Sequence, residues 1–91
     1  MNKIILDGRE LTSKEKLHEV LKKELDLPDY YGGNLDALWD CLTGWIELPL
    51  QIEWTYFEES QKHIGDYTKK VLDVFNKAQK ELQEFKITTK N

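Results

Sequence analysis

Leu50-Gln51-Ile52-Glu53-Trp54 alternates apolar and polar side chains, the period of a strand with one covered face, and Pro49 marks a turn before it. Helical patterns flank this strand in pairs. Upstream, Asn34 is placed to cap a helix that runs to Gly44, read as its C′ glycine. Before that, Leu17, Val20, Leu21 and Leu25 recur at helical spacing. Thr12 and Ser13 offer N-caps to this first helix, Glu15 is placed to close a capping box on Thr12, and Pro28 is its stop signal. Downstream, Thr55 with Glu58 reads as a second capping box opening a short helix that Gly65 ends. Asp66 then caps a longer helix carrying Val71, Leu72, Phe75, Ala78 and Leu82. Ile4-Ile5-Leu6, ended by Asp7-Gly8, supplies a first strand, and Phe85 to Thr89 a last one whose Lys86, Thr88 and Thr89 suit a sheet edge. The order is β-α-α-β-α-α-β. Crossovers containing helix pairs are long enough to make all strands parallel, and right-handed crossovers stepping one way put every helix on one face. The expected fold is a two-layer α/β domain with a three-stranded parallel sheet in order 1-2-3 and about four helices.

The 91 residues suit one domain with one core, residues 1–91. Charge is unevenly spread. From Glu24 to Gln61 there is no lysine or arginine, yet the tract holds Glu24, Asp26, Asp29, Asp36, Asp40, Glu47, Glu53, Glu58 and Glu59. The net charge of -4 is thus -9 in this tract and +5 elsewhere. An acidic patch bearing aromatics suits a cationic protein partner and disfavours nucleic acid. Cys41, a single cysteine on an apolar helix side, excludes an intramolecular disulfide and reads as a buried thiol. Charges at Lys3, Asp7, Arg9 and Glu10 argue against a signal peptide, and no apolar run approaches membrane-spanning length, so a cytoplasmic location is expected. No metal site or cofactor is expected.

At about 100° per residue, Leu35, Leu38, Cys41, Leu42 and Trp45 fall within roughly 120° and form a core-facing stripe. Asp36, Asp40 and Thr43 cluster on the opposite side, with Trp39 between the two groups. Asp36 stands at the second helical position, where the macrodipole alone favours a carboxylate. Asp40 is different: it repels Asp36 at i,i+4, lies nearer the negative helix end and has no base within four residues. A carboxylate placed against local stability is a functional candidate. Tyr30 and Tyr31 divide into one packing and one exposed ring, in an order the residues leave open. Gly32 and Gly33 mark a turn and would also let a partner approach the backbone. Glu47, Glu58 and Glu59 read as a solvated face, and His18 and His63 as surface or boundary residues.

Tyr30-Tyr31-Gly32, followed by Asn34-Leu35-Asp36-Ala37-Leu38-Trp39-Asp40-Cys41-Leu42-Thr43-Gly44-Trp45, resembles the inhibitory segment of the barstar family, intracellular inhibitors of barnase-type bacterial ribonucleases. The likeness extends through Leu21-Lys22-Lys23-Glu24-Leu25, Leu27-Pro28, Pro49-Leu50, Glu53-Trp54 and Val71-Leu72. It implies a monomer when free, which forms a 1:1 complex with a barnase-like ribonuclease and plugs its active site with the loop and second helix. Asp40 would mimic a substrate phosphate among the enzyme's arginines and histidine, Asp36 would face a further base, and Tyr30 would pack over the catalytic histidine. Asn34, Trp39, Thr43 and Gly44 would complete the contact surface, and the partner-binding set also takes in Tyr31, Gly32, Leu35, Trp45, Glu47 and Lys77. Two positions depart from the family pattern: Lys77 replaces a contact acid of the fourth helix, and Gly33 replaces a glutamate. Glu81 keeps an acid at a peripheral position, and the resemblance also suggests a cis Leu48-Pro49 bond.

Two other readings compete. An immunity-type inhibitor of a different cationic nuclease would use the same scaffold, and Lys77 points that way. An enzyme using Asp36 and Asp40 as an acid/base pair would need a cleft between them, and side by side on one convex helix face they offer none.

Overall fold

The computed structural model describes residues 2–91. The elements are β1 (Asn2–Asp7), α1 (Lys14–Glu24), α2 (Leu35–Gly44), β2 (Leu50–Thr55), α3 (Phe57–Ile64), α4 (Tyr67–Glu81) and β3 (Phe85–Thr89). β2 is the centre of a parallel sheet of order β1-β2-β3, with Ile4 beside Ile52 and Ile52 beside Ile87. The alternation in β2 has its structural counterpart: Leu50, Ile52 and Trp54 are buried, while Gln51, Glu53 and Thr55 are only half-buried. The helices cover one sheet face. On the other, Ile5 is 55% exposed, and Glu53 pairs with Lys3 at 3.9 Å and Lys90 at 3.1 Å. The fold is the two-layer α/β arrangement, and β3 is an edge.

Trp54 and Phe75, both 0% exposed, anchor the core. Trp54 meets Phe57 and Phe75 edge-on, at centroid distances of 4.7 and 6.3 Å. Its indole N–H donates to Ser60 Oγ at 3.0 Å, and that hydroxyl donates to the Gly8 carbonyl at 3.0 Å. A side chain at Gly8 would collide with the Tyr56 carbonyl oxygen, so glycine is needed where β1 turns beneath α3.

Several caps differ from the sequence expectation. Of the two caps offered to α1, Ser13 is the one used, accepting from the Lys16 N–H at 3.0 Å. α1 ends before Pro28: Asp26 adopts φ 51°, and the Leu27 and Asp26 N–H groups bond the Lys22 and Lys23 carbonyls at 2.9 and 3.3 Å. This is a Schellman closure with aspartate where glycine is usual. Thr55 forms no capping box, because it still belongs to β2 and its hydroxyl donates to the Leu6 carbonyl at 3.2 Å. Left-handed Tyr56 precedes α3 instead, with the Arg9 guanidinium 4.1 Å from its ring centroid. Gly65 ends α3, while Asp66 precedes α4 without a side-chain capping bond. Leu48-Pro49 is cis.

Candidate functional site

α2 begins as its sequence requires: the Asn34 side-chain oxygen accepts from the Ala37 N–H at 2.8 Å. Just before it, Gly33 has φ 67°, a left-handed conformation that disfavours any side chain. Leu38, Cys41 and Leu42 are buried and Leu35 is half-buried, so the apolar stripe faces the core. Asp36, Asp40 and Thr43 are exposed on the far side, with Trp39 half-buried between. The Thr43 hydroxyl donates back to the Trp39 carbonyl at 2.9 Å. Burial foremost, with the neighbouring Asp40 charge, pushes the Cys41 thiol pKa up and keeps it protonated.

The end of α2 departs from expectation. Gly44 is the last helical residue rather than a C′ glycine, and it is exposed, with open space where a side chain would be. Trp45 leaves the helix at φ -122°, so helical periodicity no longer directs it to the core. It is 48% exposed. Its indole N–H donates to the Asp26 carbonyl at 2.9 Å, and its ring meets Tyr30 edge-on at 6.3 Å. Trp45 is therefore a fixed surface aromatic, and Tyr30, 80% exposed, is the outward tyrosine of the pair.

Tyr31 turns inward. Its hydroxyl lies 2.6 Å from His18 Nδ1, and the Tyr67 hydroxyl lies 2.6 Å from Nε2. His18 is buried, correcting the surface assignment: it sits one residue past Leu17 on the covered side of α1 and bridges the loop to α4. Burial lowers the His18 pKa and raises those of Tyr31 and Tyr67. With a neutral imidazole, one ring nitrogen donates and the other accepts, so both tyrosine hydroxyls can be satisfied. Tyr67 lies 49 residues from His18, and no local pattern signals this contact. The Lys22 ammonium adds a 3.3 Å bond to the Asp29 carbonyl.

Electrostatically, the described surface of this tract is acidic and mostly without ion pairs. Among the described residues, Glu53 and Glu59 are the acids of the tract in ion pairs, and Glu53 lies on the outer sheet face. Glu24, Asp26, Asp29, Asp36, Asp40, Glu47 and Glu58 join none. Lys77 reaches from α4, its ammonium 4.9 Å from the Trp39 ring centroid. An open cleft of about 570 Å³ includes Glu24, Asp26, Trp45 and Glu47 in its lining; Asp36 and Asp40 do not line it. The structure thus places Tyr30, Gly32, Asn34, Asp36, Asp40, Thr43, Gly44, Trp45, Glu47 and Lys77 at the exposed surface, with Leu35, Trp39 and Tyr31 partly buried beside or beneath it.

The family described as "Barstar (barnase inhibitor)" matches residues 1–90. A Bacillus subtilis (strain 168) protein named "Putative ribonuclease inhibitor YrdF" is 57% identical over 88 residues, covering 96% of this chain and 97% of its own length. The acidic helix and its braced loop thus lie within a chain matched almost from end to end, and that chain belongs to the barstar family.

Proposed function

We propose that this protein inhibits a barnase-like ribonuclease in the cytoplasm by occluding its active site in a 1:1 complex, and is not itself an enzyme. The carrying observation is that Asp36 and Asp40 stand exposed on one side of a capped helix, in none of the ion pairs among the described residues. A pocket built for RNA phosphate offers convergent cationic donors, and carboxylates on a rigid helix satisfy them with little ordering cost. In this reading Asp40 takes a phosphate position and Asp36 meets a neighbouring base. Tyr30, braced by Trp45, lies over the catalytic histidine. Asn34, Gly32, Trp39, Thr43 and Gly44 complete the contact.

The experiment is an inhibition titration of barnase with wild-type protein and Asp40→Ala. Stoichiometric inhibition that Asp40→Ala weakens supports the reading. Undiminished inhibition by Asp40→Ala overturns it. A second reading, an immunity-type inhibitor of another cationic nuclease, draws support from the Lys77–Trp39 contact, which puts a positive charge beside the acidic ridge. Binding to a different nuclease with no action on guanyl-specific ribonucleases would favour that reading.

A further inference from the structure

We propose that Lys77 is a specificity-determining residue: held on the Trp39 ring beside the acidic ridge, its ammonium selects a ribonuclease presenting a carboxylate at the facing rim of its active site. This rests on the inhibitory reading above and adds the chemistry of the partner's rim.

α4 packs against α2, and exposed Lys77 projects from it until its Nζ lies 4.9 Å from the Trp39 ring centroid. On a helix surface, residues three or four apart are neighbours, so Trp39 borders both Asp36 and Thr43. The ammonium therefore stands at the edge of the ridge, yet it joins none of the ion pairs among the described residues, and neither does Asp36 or Asp40. The aromatic face positions it by a cation–π interaction. Lys22 is a base near the loop, but its ammonium is engaged with the Asp29 carbonyl.

A partner docking on α2 thus meets a negative centre with a positive charge at one border. If the partner's rim is basic opposite Lys77, like charges are brought together; if it carries a carboxylate there, they pair. Such a border charge discriminates between related partners while leaving the central contacts unchanged. Resting on the Trp39 ring also limits the ordering cost of engaging Lys77.

Barnase serves as the probe, titrated with wild type, Lys77→Met and Lys77→Glu. The methionine keeps an unbranched stem on Trp39 and removes the charge, and a thermal midpoint for each variant separates folding from binding. Affinity should rise from wild type through Lys77→Met to Lys77→Glu, spanning roughly tenfold, with the on-rate differences shrinking at high salt. Equal affinities, weaker binding by Lys77→Glu, or binding by none of the chains overturns the proposal. In a matching arm, surface Lys and Arg residues of barnase are reversed singly to Glu. Both arms take barnase as basic opposite Lys77, as the family's acid at that position implies; one reversal should then strengthen binding to wild type and weaken binding to Lys77→Glu, and no coupled position overturns the proposal. Asp40→Ala reports separately on the inhibitory reading. Its loss of binding beside an indifferent Lys77 series sinks the selector alone, and undiminished binding by Asp40→Ala sinks the inhibitory reading.

Discussion

Asp40 and Thr43 share one helix face but differ in what they leave available to a partner. Asp40 is exposed and joins no ion pair among the described residues, whereas the Thr43 hydroxyl already donates to the Trp39 carbonyl at 2.9 Å. Asp40→Ala should therefore weaken ribonuclease binding by about 3 kcal/mol or more, because it also leaves the enzyme's cations unpaired. Thr43→Ala should cost far less, and isothermal titration of both variants checks the contrast. Asn34 acts on the fold instead: Asn34→Ala removes the 2.8 Å cap on the Ala37 N–H, with an expected loss of about 1 kcal/mol in urea unfolding. Asp40 and Asn34 were legible in the sequence because helix dipole and capping rules act over one turn. Trp45 was misread because those rules fail at the residue where the chain leaves the helix.

Among the elements, the loop between α1 and α2 is held by contacts that local patterns do not encode. The Tyr31–His18–Tyr67 chain joins it to α1 and α4. Burial lowers the folded His18 pKa below its ordinary value near 6.5, so below that value the unfolded chain binds the proton more readily. Stability should be full above about pH 6.5, and fall as the pH drops towards the depressed folded pKa. The groups around this imidazole are the Tyr31 and Tyr67 hydroxyls, with Lys14 Nζ over the Tyr67 ring at 4.8 Å adding positive charge. His18→Gln should flatten the dependence in this window, as checked by urea midpoints at successive pH values. The unforeseen helix ends have related causes. Asp26 replaces the usual glycine in a left-handed closure, and the Thr55 hydroxyl is taken by the neighbouring strand, a demand visible only once β1 and β2 are paired.

Over the whole molecule, the fold separates its charges. The sheet's outer face neutralises Glu53 with Lys3 and Lys90, and among the described residues most of the acidic tract elsewhere joins no ion pair. Association with a cationic nuclease should consequently be fast and slow steeply with added salt, and stopped-flow mixing across ionic strengths measures this; a salt-independent rate would contradict it. The helix that carries Lys77 also carries core residue Phe75, 0% exposed. Phe75→Ala should cost about 3–5 kcal/mol of stability, as read by denaturant unfolding. The topology was legible because strand alternation and helix pairs between strands leave few parallel arrangements. The exposed acidic face of α2 was legible too, but the support of the adjoining loop comes from contacts between distant segments. Whether Asp40 enters a cationic phosphate pocket is decided by a structure of the complex with the target ribonuclease, read at the surroundings of the Asp40 carboxylate. Active-site arginine or histidine donors should lie within hydrogen-bonding distance of it; a carboxylate left in bulk solvent, away from the enzyme's cationic centre, rules that docking out.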